Sequence, residues 1–176
     1  MDSSKQLRMT VYTSLFVAFI AIGAFIAIPV GPVPIVLQNM FVLLAAIILG
    51  PVWGLACVTI YLLIGFAGLP VFAGGTSGIG KLFGPTGGYL LGYFPAVFVT
   101  AAISKGLGKK FSSDIIAMVI GSLIIYAIGV PWLKVVTSMT YEKALIVGMV
   151  PFLIGDALKV IAAAVIAKIL RPVIKL

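Results

Sequence analysis

The chain has 176 residues, of which 62% are hydrophobic and only 9% charged, with a formal net charge of +8. A water-soluble domain of that length cannot bury so much apolar surface, so a soluble fold is excluded and lipid is the expected solvent. No histidine, one cysteine (Cys57) and four acids leave no material for a disulfide framework or a metal cluster and remove most catalytic constellations, and no cofactor is expected.

The apolar runs are long and lack strand-like alternation, which argues for helices rather than an outer-membrane barrel. Six apolar segments stand out, near 9–28, 34–49, 52–69, 87–105, 112–130 and 146–170. Each approaches the roughly 20 residues that cross a hydrocarbon core of about 30 Å. The first follows Lys5 and Arg8 as a signal peptide would, but it is long enough to span and lacks a small-residue cleavage site, so it reads as a retained helix. It also carries small residues at Ser14, Ala18, Ala21, Gly23, Ala24 and Ala27. Ser14/Ala18 and Gly23/Ala27 are spaced to let a second helix approach closely, either within the chain's own bundle or from a partner membrane protein.

"PVGPVP" ends the first segment, and Gly50-Pro51 separates the second from the third. In the second, Gln38 and Asn39 are adjacent amides of which one faces inward, either as interhelical glue or as a ligand contact. "GLPVFAGGTSGIGKLFGPTGGY" (68–89) is the longest expected non-helical stretch. Irregular backbone at a membrane must be buried in protein or line a cavity. A loop carrying Leu69, Val71, Phe72, Ile79, Leu82 and Phe83 is therefore expected to fold back over the helices as a lid. Within it, "GTSGIGK" (75–81) matches most of a P-loop, but Leu82 stands where a hydroxyl would meet magnesium and no strand precedes it, so ATP hydrolysis is not expected.

The basic residues flank the apolar runs. With six crossings and the N-terminus inside, Lys5, Arg8, Lys105, Lys109, Lys110, Lys168, Arg171 and Lys175 fall on the inner side against Lys81, Lys134 and Lys143 outside, which places both termini in the cytoplasm. None of these clusters is interleaved with stacking aromatics, so the charge does not point to nucleic acid.

The last segment contains "PFLIGDALKVIAAAVIAKIL", where Asp156 and Lys159 interrupt an apolar helix. Each charge at a helix centre costs about 2.5–3.5 kcal/mol on insertion scales. At i and i+3 both point the same way, and Asp156 falls some ten residues, roughly 15 Å, into a helix starting at 146. A self-satisfied ion pair, a binding site and an ion path are the alternatives. An acid and a base in an apolar wall suit a small amphipathic ligand with N–H donors and an oxygen or carboxylate. The residues themselves thus define a six-helix membrane binder or transporter entered from outside.

The stretch from Val33 to Ala96, with "GLPVFAGG" followed by "GPTGGYLLG", together with "GDALK" (155–159), resembles the BioY family, the biotin-specific substrate-binding components of energy-coupling factor transporters. That resemblance covers essentially the whole chain as a single domain, 1–176. It implies an all-α integral membrane fold of six helices, with biotin held near the outer surface beneath the loop between the third and fourth. It implies no catalysis here, and uptake powered by a transmembrane coupling protein and two cytoplasmic ATPases. By the same resemblance Asp156 accepts from the ureido N–H groups and Lys159 donates to an oxygen. Thr76 or Ser77, beside Gly75, replaces a polar loop contact, and Gln38, Phe72 and Tyr89 form the wall. The family's alanine-x-x-x-alanine docking face corresponds to Ser14/Ala18, with Ala21 beside it. A proton-coupled secondary carrier and a component for another vitamin are the competing expectations.

Overall fold

The computed structural model describes residues 3–174, so Lys175 of the inner basic set lies outside the described residues. The chain is built from α1 (Ser3–Phe25), α2 (Gln38–Phe66), α3 (Gly80–Phe83), α4 (Gly87–Gly106), α5 (Phe111–Thr137), α6 (Tyr141–Gly148), a 3-10 turn (Val150–Phe152) and α7 (Leu153–Ile174). Five helical runs are long and apolar enough to cross a membrane: α1, α2, α4, α5 and the run Tyr141–Ile174. The proline-rich link after α1 holds one small ribbon, in which β1 (Ala27–Ile28) pairs antiparallel with β2 (Ile35–Val36). That ribbon satisfies backbone groups where the prolines forbid a helix.

α2 is not one rod. Gly50 leaves the helical region at φ 80°, ψ −178°, followed by Pro51. A Cβ on Gly54 would sit 3.4 Å from the Ala46 Cα. In an unbroken helix residues eight apart lie about 12 Å apart along the axis, so the two halves fold back on each other. Two groups of contacts define the ends of the bundle. At one, Gly74 N–H donates to Ala24 O at 3.0 Å and Gly78 N–H to Gly65 O at 2.8 Å. At the other, the Arg171 guanidinium donates to Ile47 O at 3.2 Å.

Two expected boundaries move. The fifth segment was expected to stop at residue 130, but α5 continues through Pro131 to Thr137. The Trp132 indole donates to Gly84 O at 3.0 Å and Leu133 is fully buried, so packing holds the extra turns despite the hydrogen bond that proline removes. The sixth segment does not run unbroken from 146. α6 ends at Gly148, the 3-10 turn intervenes, and α7 starts at Leu153.

α4 packs on α5 and α2, α1 packs on α2, and α7 leans on α2 and α5. In lipid this association depends on close approach of small residues. A Cβ on Gly92 would fall 3.1 Å from Ile125 Cα, and one on Gly54 would fall 2.8 Å from Val97 Cγ1. Gly23 is used this way inside the chain, against Phe41 and Gln38, whereas its expected mate Ala27 has left the helix for β1. Ser14 and Ala18 instead face away from the chain's own core, and Ala21 is half-buried beside it.

Candidate functional site

Residues 67–79 carry no helix and close the end of the bundle to which Gln38 belongs. Phe72 anchors this loop: it is 2% exposed, and a Cβ on Gly65 would lie 2.3 Å from its ring. The absent side chain at Gly65 is therefore what seats the ring. Tyr61 meets Phe72 edge-on at 5.6 Å and donates its hydroxyl to Val71 O at 2.9 Å. The lid expectation holds for Phe72. Leu69, Ile79 and Phe83 remain exposed, facing outward from the loop rather than down onto the helices.

Beneath the loop is a cavity of about 460 Å³. Of the residues singled out from sequence, Asp156, Lys159, Gln38, Phe72, Thr76, Ser77 and Tyr89 line it. Gly75 does not. It takes φ +73°, and its backbone backs onto Phe25 of α1, where a Cβ would fall 3.1 Å from the ring. Tyr89 presents its ring, because its hydroxyl donates to Gly148 O at 2.8 Å. Thr76 likewise commits its hydroxyl to Ala73 O at 3.0 Å.

Asp156 and Lys159 are 6% and 8% exposed and form an ion pair at 3.0 Å. They do not rely on each other alone. Asn39 donates its amide to Asp156 Oδ1 at 3.0 Å and accepts from Lys159 at 3.4 Å. Tyr126 donates its hydroxyl to Asp156 Oδ2. Because α7 restarts at Leu153, Asp156 lies in its first turn and not ten residues into a helix. The dipole of that helix end favours a carboxylate there, which eases the burial that looked so unfavourable in the sequence.

Sequence reasoning did not assign Tyr126 or Asn39 to this cluster. A tyrosine in the middle of an apolar helix was the available signal, since its hydroxyl must find a partner in lipid. Lys81, from the P-loop-like stretch, also lines the cavity, as do Tyr93 and Ser122. Among the described residues there is no group of acids, cysteines or histidines able to hold a metal.

A helical bundle with a lidded cavity, apolar in its walls and charged at one patch, defines a membrane-embedded binder of small amphipathic molecules. The BioY family model matches residues 1–176. A probable biotin transporter BioY of Pyrococcus horikoshii is 39% identical over 90% of this chain and 93% of that protein. A biotin transporter BioY of Thermotoga maritima is 42% identical over 92% and 94%. The crystal structure of the S-component for biotin from an ECF-type ABC transporter superposes with a TM-score of 0.92, at 31% identity, over 98% of this chain and 95% of that one. The chain belongs to the BioY family.

Proposed function

We propose that this chain is the biotin-binding subunit of an ATP-driven importer of the energy-coupling factor type. It captures biotin at the outer face of the cell membrane and works with a transmembrane coupling protein and two cytoplasmic ATPases. The observation that carries this is the Asp156–Lys159–Asn39–Tyr126 cluster opening onto a lidded cavity of about 460 Å³. That volume is in the range of small-molecule pockets, which run about 300–1,000 Å³. Biotin offers a urea with two N–H donors and a carbonyl, an apolar ring and tail, and one carboxylate. The charged residues in the cavity wall are Asp156, Lys159 and Lys81, one more cation than anions, which suits a monoanion.

In this reading Asp156 accepts from the urea and Lys159 donates to a ligand oxygen. Gln38, Thr76, Ser77, Phe72 and Tyr89 complete the enclosure, and Gly75 shapes the loop from behind. The outward face of Ser14 and Ala18, continued by Ala21, is where the coupling protein docks. Its small side chains and their exposure within the bundle support this. The fold reading that accompanies it is one domain crossing the membrane six times, α2 counting twice because Gly50 turns it back, with both termini in the cytoplasm. Lys105, Lys109, Lys110, Lys168 and Arg171 belong to the end opposite the cavity, as the inner side requires.

Calorimetric titration of the purified chain with biotin tests the site. Tight binding is expected, weakened roughly ten- to a hundredfold by Asp156→Asn or Lys159→Ala, since hydrogen bonds to charged groups contribute about 1.5–3 kcal/mol each. Unchanged affinity in both variants removes the proposed site.

A further inference from the structure

We infer that Ser122 of α5 is a ligand-contacting residue that takes the urea N–H which Asp156 has no capacity to accept. The inference rests on the biotin reading above and deepens it. Ser122 is 7% exposed, lines the cavity, and its Oγ has no hydrogen-bond partner. Buried hydroxyls are almost always partnered, and in lipid the penalty for leaving one bare is larger than in water. Helical hydroxyls elsewhere in this chain solve the problem locally. Thr10, Ser14, Thr59 and Thr137 each donate to the carbonyl four residues back, at 3.0, 3.0, 2.8 and 2.6 Å. Ser122, in the same kind of helix, does not; Thr13 of α1 is likewise unpartnered but lies away from the cavity, whereas Ser122 belongs to its wall.

Its neighbours say what. Ser122 shares the wall of a side pocket of about 10 Å³ with Asn39, Asp156 and Lys159, which puts it beside the charged cluster. A carboxylate offers about four acceptor positions. Asp156 has filled three of them, with Asn39 at 3.0 Å, Lys159 at 3.0 Å and Tyr126. One position remains for a urea that brings two N–H groups. The second N–H needs another acceptor in the same patch, and the Ser122 oxygen has both lone pairs free. Gln38, 2% exposed, also belongs to the cavity wall, and its Nε2 has no partner, which leaves a donor for the urea carbonyl. The other buried unpartnered side-chain atoms among the described residues are on Thr13 and Arg171, which do not line the cavity.

The test titrates wild type and Ser122→Ala with biotin and with its two mono-N-methylated ureas. A neutral hydrogen bond of about 1 kcal/mol predicts a five- to tenfold loss for Ser122→Ala with biotin. The loss should vanish with the analogue methylated at the N–H that Ser122 takes and persist with the other. The melting temperature of the ligand-free variant should hold or rise, because the substitution removes a hydroxyl that the empty protein leaves unpaired. Affinity within twofold of wild type, equal losses with both analogues, or a fall in ligand-free stability that parallels the affinity loss each overturns the contact. Failure of the wild type itself to bind biotin overturns the biotin reading and this contact with it.

Discussion

The two ends of the bundle each bury an acid against a base, and they do so differently. At the end away from the cavity, Arg171 grips Asp114 with both nitrogens, at 2.6 and 2.8 Å. Ser104 donates to the same carboxylate at 2.6 Å, and the guanidinium also reaches the carbonyls of Lys109 at 2.5 Å and Ile47 at 3.2 Å. Asp114 stands in the first turn of α5 and Arg171 in the last turn of α7, where helix dipoles favour each. This cluster joins α2, α4, α5 and α7, and none of its residues lines the cavity. The Asp156 carboxylate also accepts from three donor atoms, but its cluster has a cavity against it. Two ion pairs of similar chemistry therefore differ by what lies beside them: one is gripped by helix carbonyls and fastens helices, and the other faces a cavity and is available to a guest.

That contrast can be broken. The largest expected effect is from Asp114→Ala, which strands a partly buried guanidinium and should lower stability by about 3 kcal/mol. Thermal unfolding in detergent measures it, and biotin affinity should stay within threefold. A larger loss of affinity would mean that the Asp114 cluster shapes the cavity after all. Next is Tyr126→Phe, which removes one donor from Asp156 and should weaken biotin about tenfold by calorimetry while costing little stability. If it costs stability and not affinity, the two clusters are alike. The smallest is Gly65→Ala, whose methyl would displace the Phe72 ring from its seat. A few-fold faster biotin release in stopped-flow is expected, with thermal stability unchanged.

The helical class and the pair on one face were legible because lipid makes both conspicuous. Charge is rare in this chain, so Asp156 and Lys159 stood out without any partner being known. The partners themselves were not legible. Asn39 is 117 residues away from Asp156 and Tyr126 is 30 away, and nothing local to either names the carboxylate. Pro131 misled for a related reason: as a local signal it ends a helix, but here the burial of Leu133 and the Trp132–Gly84 bond carry α5 onward. Gly75 misled in the opposite sense, since neighbours in a glycine-rich loop alternate between facing the cavity and facing α1. The restart at Leu153 changed most. It turned a charge expected deep in a helix into one held by a helix beginning.

Asp156 and Arg171 are fifteen residues apart on α7, so one rod of about 22 Å carries a member of each ion pair. That spacing works as a ruler. Inserting or deleting a single residue between them would turn one side chain about 100° relative to the other, and no adjustment of the loops would restore both at once. Length can therefore vary in the loops or beyond Arg171, whereas the stretch between the two charges has to keep its count.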